Sequence, residues 1–330
     1  MDAQQESESK SAGHGHPLAC PVCSAAAYAF DHPLSGRSLR AMANALGIEH
    51  LPSTALVQSI ARCEGCGLEF ANPMRNPGEE FYVWLTTAKF PYPKHRWEWD
   101  EAARILEETS SGRSTVVLDA GSGEGRFLEA ISTIPGVIAH GIDQNPDVVA
   151  ASVARGLNVR HGDLSSFGLD GVSLDAVTFW HVVEHVDDPV GMLGRARDYL
   201  SERGLIMFSV PITPMSYEHA WPDPFNMPPH HLTRWSVKSL QALAHRLDMH
   251  VSMVFPDASS VFARTLRSLV LQTSPSSASW SPAAKAVNLL RHLLANPSRL
   301  VSEVRRQARR EKHNGKTLPD VVLVVLRKRG

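Results

Sequence analysis

The sequence predicts an α/β fold: a doubly wound, mostly parallel sheet with crossover helices, preceded by a small metal-binding module and interrupted late by a helical insertion. Three observations predict it. From Ser114 onward strand-like and helical runs alternate: STVVLDA, GRFLEAIST, GVIAHGID, PDVVAASVARG, LNVRHGD, LDAVTFW, DPVGMLGRARDYL and GLIMFSVP. Parallel neighbours need such crossovers, because tight hairpins cannot join them. The first strand runs straight into a glycine-rich turn, GSGEGRF, and the cysteines all lie near the N-terminus in two C-x-x-C pairs.

In chain order, residues 1–16 are polar and partly acidic, without the apolar core of a secretory signal, and are expected to be a disordered tail. Residues 17–72 hold Cys20, Cys23, Cys63 and Cys66. A chain without export signals points to a reducing compartment, where paired C-x-x-C units favour metal over disulfides. Four thiolates around one tetrahedral ion leave no open position, so a structural zinc is expected. The alternatives are small buried residues or a redox pair. Residues 73–112 form an aromatic linker or cap whose second half, WEWDEAARILEE, has helical spacing. Residues 113–256 and 318–330 carry the sheet, with SVKSLQALAHRL as a further helix, MHVSMVF as a strand and VVLVVL as the returning last strand. That run is too short to cross a bilayer.

Residues 257–317 do not fit the repeat. They contain a short apolar helix, a Ser/Pro-rich break and a long basic helix from roughly Ala283 to Lys312. Its apolar side, Leu289, Leu293, Leu294, Leu300 and Val304, is expected to pack on the domain or on a second subunit in a homodimer. Its cations, Arg299, Arg305, Arg306, Arg309, Arg310 and Lys312, form a solvated face or meet phosphates. Formal net charge over the 330 residues is −1. Nothing global therefore advertises a nucleic-acid or membrane partner, and a cytoplasmic location is expected.

The glycine turn places Asp119, Gly121, Gly123 and Gly125 where a main chain can approach a ligand. It is not the G-x-G-x-x-G of a dinucleotide fold, whose last glycine comes one position later. Acids end the next two strands, Asp143 in HGIDQNP and Asp163 in RHGDLSSF. Asp143 also precedes a Pro-initiated helix, so a capping role is the competing reading. Beyond the fourth strand, FWHVVEHVDDP spaces His181, Glu184 and His185 as in zinc peptidases. A peptidase needs that motif inside a long helix with a third ligand downstream; Pro189 instead starts the next helix. An accessory divalent ion on His181, Glu184 and His185 is the residual metal reading.

The glycine turn, the ordered acids and the HxxEHxxDP-like stretch resemble the class I S-adenosylmethionine-dependent methyltransferases over roughly Ser114 to Met253 plus the last strand. That resemblance implies a Rossmann-like sheet of seven strands with helices on both faces, and S-adenosylmethionine as the methyl donor. Carried over, it implies that Asp119 and the amides of Gly121, Gly123 and Gly125 hold the methionine part and that Asp143 takes the ribose hydroxyls. Asp163 and the Leu164 amide would face the adenine, and Trp180 and His181 would border cofactor and acceptor. Glu184 and His185 would share that border or anchor the turn. DPFNMPPHHLTRWS resembles the P-H-H-L/V-x-R-W/F-S stretch that borders the acceptor pocket in this family. It offers His230 and His231 as general bases, with loop-orienting hydrogen bonds as the alternative.

The family's base-amine enzymes carry Asn/Asp-Pro-Pro-aromatic after the fourth strand, where this chain has FWHVVEH. Oxygen or carbon of a small molecule, a sugar or natural-product-like compound, is thus the expected acceptor. The other reading is an RNA-modifying enzyme or RNA-binding factor that grips nucleic acid with the zinc module and basic helix. A third is a cofactor-sensing scaffold without turnover.

Overall fold

The computed structural model describes residues 18–29, 35–52, 58–87, 93–110, 113–165, 173–219, 223–256, 260–273, 282–314 and 320–329. The expected tail, 1–16, and the Ser/Pro-rich break before Pro282 lie outside the described residues. Two short hairpins open the chain: β1 (Leu18–Ala19) with β2 (Ala26–Ala29), and, after helix α1 (Ser35–Leu46), β3 (Ser59–Cys63) with β4 (Glu69–Asn72). Helix α2 (Glu79–Thr87) follows, in the half of the aromatic stretch where no helix was expected. Tertiary packing decides it: Phe81 and Trp84 are buried against Leu39, Met42 and Ala43 of α1, which outweighs the weak helix propensity of aromatic residues.

Then come α3 (Trp97–Ser110), β5 (Thr115–Ala120), α4 (Arg126–Ile131), β6 (Val137–Asp143), α5 (Pro146–Ala154), β7 (Val159–His161) and β8 (Leu174–Trp180). A 3-10 turn at Val183–His185 leads to α6 (Pro189–Asp198) and β9 (Leu200–Pro211). A second 3-10 turn, Pro224–Asn226, precedes β10 (Thr233–Arg234), α7 (Val237–Arg246) and β11 (Met249–Val254). The last elements are α8 (Val261–Thr273), α9 (Pro282–Ala295), α10 (Ser298–Asn314) and β12 (Val321–Lys328).

The main sheet has seven strands in the order β11-β12-β9-β8-β5-β6-β7. Strands β9, β8, β5, β6 and β7 pair in parallel, whereas β12 runs antiparallel to both β9 and β11. Residues of α6 and α7 such as Leu193, Leu240 and Leu243 cover one face. Trp99, Leu106, Phe127 and Ile131 of α3 and α4 cover the other. Strands buried on both sides read as continuous apolar runs, as VVL in β5 and AVTF in β8 do. The chain steps outward from β5 through β6 to β7 and then returns to β8 on the opposite side of β5. That reversal opens a crevice at the carboxyl ends of β5 and β8, where ligands of open α/β sheets bind.

A second sheet, β1-β2-β3-β4-β10, joins the N-terminal hairpins to the loop after β9. Thr233 pairs with Phe70 and Arg234 with Glu69, and the Ala71 amide donates to the Leu232 carbonyl at 2.7 Å. Arg234 is buried, with its guanidinium paired to Glu69 at 3.3 Å and to Glu218. The histidine-bearing loop therefore runs directly into an edge strand of the sheet that the cysteine module begins.

The single long basic helix expected over 283–312 is two helices, α9 and α10, broken at Asn296 and Pro297. Proline lacks the amide for the helical ladder and its ring clashes with the preceding turn. Helix α10 meets α8 through Glu303, which accepts from Gln272 at 3.3 Å; Glu303 also pairs with His219, in the segment after β9, at 2.9 Å and accepts from Gln307 of its own helix at 2.9 Å. Of the expected apolar side, Leu289 is buried, while Leu294, Leu300 and Val304 are exposed. Packing among the described residues does not account for them. Among the described residues no helix is long and apolar enough to cross a membrane.

Candidate active site

The glycine turn is bound to the end of the neighbouring strand. The Gly121 and Ser122 amides donate to the Ile142 carbonyl at 2.8 and 3.0 Å, which lays the loop across the tips of β5 and β6. Gly121 has φ +78, and a Cβ there would sit 2.6 Å from Val182 Cγ2, so the residues after β8 close directly over the turn. Gly125, φ +69, caps α4 in the left-handed region that only glycine adopts without strain.

Asp119 is fully buried, with Oδ1 accepting from the Thr178 hydroxyl at 2.7 Å. Its Oδ2 has no hydrogen-bond partner among the described residues. Burial, with the Asp143 charge adding to it, raises its carboxyl to about 7. A buried carboxylate oxygen without a donor suits an incoming cation. Asp143 accepts from the Gly123 amide at 2.7 Å through Oδ2 and from the Asn145 amide at 2.9 Å through Oδ1. Helix capping falls to Asn145, whose side chain accepts from the Asp147 amide at 3.0 Å. Asp143 is therefore not the helix cap, and the competing reading of that residue is set aside.

Asp163 is exposed and closes an Asx turn, accepting from the Ser165 amide at 2.9 Å, and Leu164 beside it is buried. The Gly162 amide donates to the Asp143 carbonyl at 2.9 Å, so the two acids adjoin through the backbone. Trp180 is 8% exposed, its ring edge-on to Phe127 at 4.7 Å in the layer between the sheet and α3 and α4.

His181 lies between two buried glutamates: Nδ1 is 3.1 Å from Glu184 and Nε2 is 3.2 Å from Glu98. Burial alone would lower its pKa, but the hydrogen bonds to Glu184 and Glu98 outweigh it and raise the value. Its φ of +55 lies in the left-handed region, a strained backbone for a non-glycine residue. The two carboxylate contacts hold it there. Glu98, on α3 and 83 residues away in sequence, was not foreseen. Nothing local marks it, since an acid in the first turn of an acidic helix is ordinary.

In the loop before β10, His230 Nδ1 donates to the Phe225 carbonyl at 2.7 Å, and His231 Nδ1 to Asn226 Oδ1 at 2.9 Å. Burial, then the neighbouring His185, lowers His230 to about 3 and His231 well below the ordinary value, so both are neutral near pH 7. The Asn76 amide ties the His185 carbonyl at 3.0 Å, and Tyr82 stands edge-on to the His185 ring. The expected set of His181, Glu184 and His185 does not converge as one metal site: His181 and Glu184 bind each other, while His185 turns to His230 and His231.

The four cysteines converge. Cys20 and Cys66 sulfurs are 3.7 Å apart and those of Cys23 and Cys63 are 3.4 Å apart, near the ~3.8 Å edge of a tetrahedron with ~2.3 Å zinc–sulfur bonds. The Val22 and Cys66 amides point at the sulfurs of Cys20 and Cys63. The donor set fits a structural zinc, held on the sheet that β10 completes. An open cleft of about 570 Å³ lined by Arg62, Glu64, Glu218 and Lys238 adjoins this module and includes no residue of the glycine turn.

A family model described as a methyltransferase domain matches residues 94–251, from just before α3 into β11. Over this span the chain is similar to methyltransferase domains. The span contains the glycine turn, Asp119, Asp143 and Asp163, both histidine-bearing segments and Glu98. Among curated proteins, a probable S-adenosylmethionine-dependent methyltransferase of Mycolicibacterium smegmatis is 31% identical over 108 residues, 32% of this chain and 41% of that protein. The chain thus matches less than half the length of that relative. Two solved structures are also similar. A SAM dependent methyltransferase from Archaeoglobus fulgidus is 19% identical, with 75% of this chain and 100% of that chain covered at a TM-score of 0.47. The plantazolicin methyltransferase BpumL in complex with SAH is 16% identical, with 70% and 83% covered at a TM-score of 0.44.

Proposed function

We propose that the protein transfers a methyl group from S-adenosylmethionine to an oxygen or carbon of a small-molecule acceptor. The observation that carries this is the pair of acids at the tips of β5 and β6. Asp119 presents a buried carboxylate oxygen with no donor, and Asp143 is fixed by two amides beside a turn that glycine keeps open. Asp119 is suited to the donor's ammonium and Asp143 to its ribose diol, since carboxylates accept from both. Asp163 and the Leu164 amide, on the next loop, stand where an adenine edge would be read.

When bound, the donor supplies an activated methyl on a sulfonium, and the chain's part is alignment and control of the acceptor proton. His181 offers no free lone pair while both nitrogens meet carboxylates, so we assign it to holding the turn that covers Gly121. Orienting the acceptor beside the donor falls to the histidine loop. Its neutral imidazoles keep their Nδ1–H groups in hydrogen bonds to oxygen acceptors and leave Nε2 free. The four-cysteine module, with a structural zinc, positions that loop through β10.

The test is calorimetric binding of S-adenosylmethionine to the full chain, together with mass spectrometry of a cell extract incubated with the protein and isotopically labelled donor. Binding and one labelled small molecule are expected. Label in RNA, or tight RNA binding that falls steeply with salt, would favour the nucleic-acid reading instead.

A further inference from the structure

One ring nitrogen from each of His185, His230 and His231 lies within 4.8 Å of the others. The rings form a near-equilateral group with centroids 4.6 to 4.7 Å apart. Each ring has its Nδ1 on an oxygen acceptor: His185 on the His230 carbonyl at 2.8 Å, His230 on the Phe225 carbonyl and His231 on Asn226 Oδ1. A backbone carbonyl cannot donate, so Nδ1 carries the proton and the nitrogen left to offer is Nε2. Metal-binding histidines show this same outer contact, since it fixes tautomer and ring angle and makes the other nitrogen a better ligand.

We propose that His185, His230 and His231 together bind one divalent transition-metal ion of the zinc class through their Nε2 atoms. Three imidazoles select that class over magnesium or calcium, which prefer oxygen ligands, and they leave at least one coordination position open. The wall around the cluster is aromatic: Phe81, Tyr82 and Phe225 all pack on these rings. It is distinct from the four-cysteine site, which thiolates saturate. In its use, which rests on the methyl-transfer reading, the open position takes an acceptor hydroxyl. The O–H proton passes to water and the metal-bound oxygen attacks the methyl carbon. The carbon–sulfur bond breaks with its electron pair left on sulfur.

Cobalt(II) added to the full chain carrying one equivalent of zinc, which the four thiolates take first, tests the site. Cobalt ranks below zinc in affinity for the same ligands, so zinc remains on the cysteines. The expected result is one cobalt bound per chain, with visible ligand-field absorption and no thiolate-to-cobalt charge-transfer band. His231→Gln and, separately, His185→Gln should each weaken cobalt binding on the order of 100-fold. Zinc content and S-adenosylmethionine affinity should stay unchanged, and either folded variant suffices for the comparison. No cobalt uptake by the parent chain, or uptake that both variants retain, overturns the proposal. Failure of donor binding in the parent chain would instead overturn the methyl-transfer reading and leave the metal site standing.

Discussion

The two halves of the crevice are built differently. On the β5–β6–β7 side, the candidate acids sit at or just past the strand ends: Asp143 is held by the Gly123 and Asn145 amides, Asp163 caps its own turn at Ser165, and Asp119 accepts from Thr178 of the adjacent strand β8. On the β8–β9 side, the candidates depend on partners far along the chain: His181 on Glu98, His185 on the His230 carbonyl, and β10 on β4 of the cysteine module. The first half is fixed where the tips of adjoining strands meet, and the second is assembled from segments of separate elements. Damage remote from the acceptor side should therefore reach it, while the cofactor side should respond only to changes within its own turn.

The largest effect expected is on the cofactor side. Asp143→Ala removes the acceptor of two backbone hydrogen bonds along with the proposed diol contact. With charged hydrogen bonds worth about 1.5–3 kcal/mol each, donor affinity should fall at least about 100-fold by calorimetry. Unchanged affinity would detach the ribose role from Asp143.

Next in size is Cys63→Ser, or extraction of the metal with a chelator. The cysteine module should lose zinc, measured by elemental analysis, and turnover should drop about tenfold or more as β10 loses its partner strand. Donor affinity should remain within about twofold. An equal loss on both sides would erase the distinction between the two halves.

A smaller, pH-dependent effect concerns Asp119. Its folded-state pKa is raised to about 7 by burial, above the unfolded carboxyl near 3.9. Between those values the native state holds a proton that the unfolded state has lost, so this group's contribution to stability falls as pH rises from about 4 to about 7. A bound ammonium favours the ionised form, so donor affinity should weaken as pH falls below about 7. Asp119→Asn should flatten both dependences, read by denaturant titration and calorimetry across that range.

The smallest effect expected is from Leu294→Lys on the exposed face of α9. A monomer should lose no more than about 0.5 kcal/mol of stability. Sedimentation that shifts from dimer to monomer in this variant would assign that face to a second copy of the chain.

The same contrast explains what the sequence revealed. Asp119, the glycines and Asp143 were legible because a strand-to-helix turn writes its needs within a few residues. The four cysteines were legible because C-x-x-C spacing encodes a knuckle by itself. Glu98 was not, because its meaning comes from His181, 83 residues on. The grouping of His185 with His230 and His231 was hidden for the same reason, and local spacing suggested the set with His181 and Glu184 instead. The break between α9 and α10 was different: Asn296 and Pro297 announce it, and the amphipathic pattern on either side masked it.

The most direct measurement of the central claim is a crystal structure of the full chain soaked with S-adenosylhomocysteine. The account predicts density across the tips of β5, β6 and β7, with the amine on Asp119 Oδ2 and the ribose hydroxyls on Asp143. Density bound anywhere else, or a ligand in that crevice touching neither carboxylate, would contradict it.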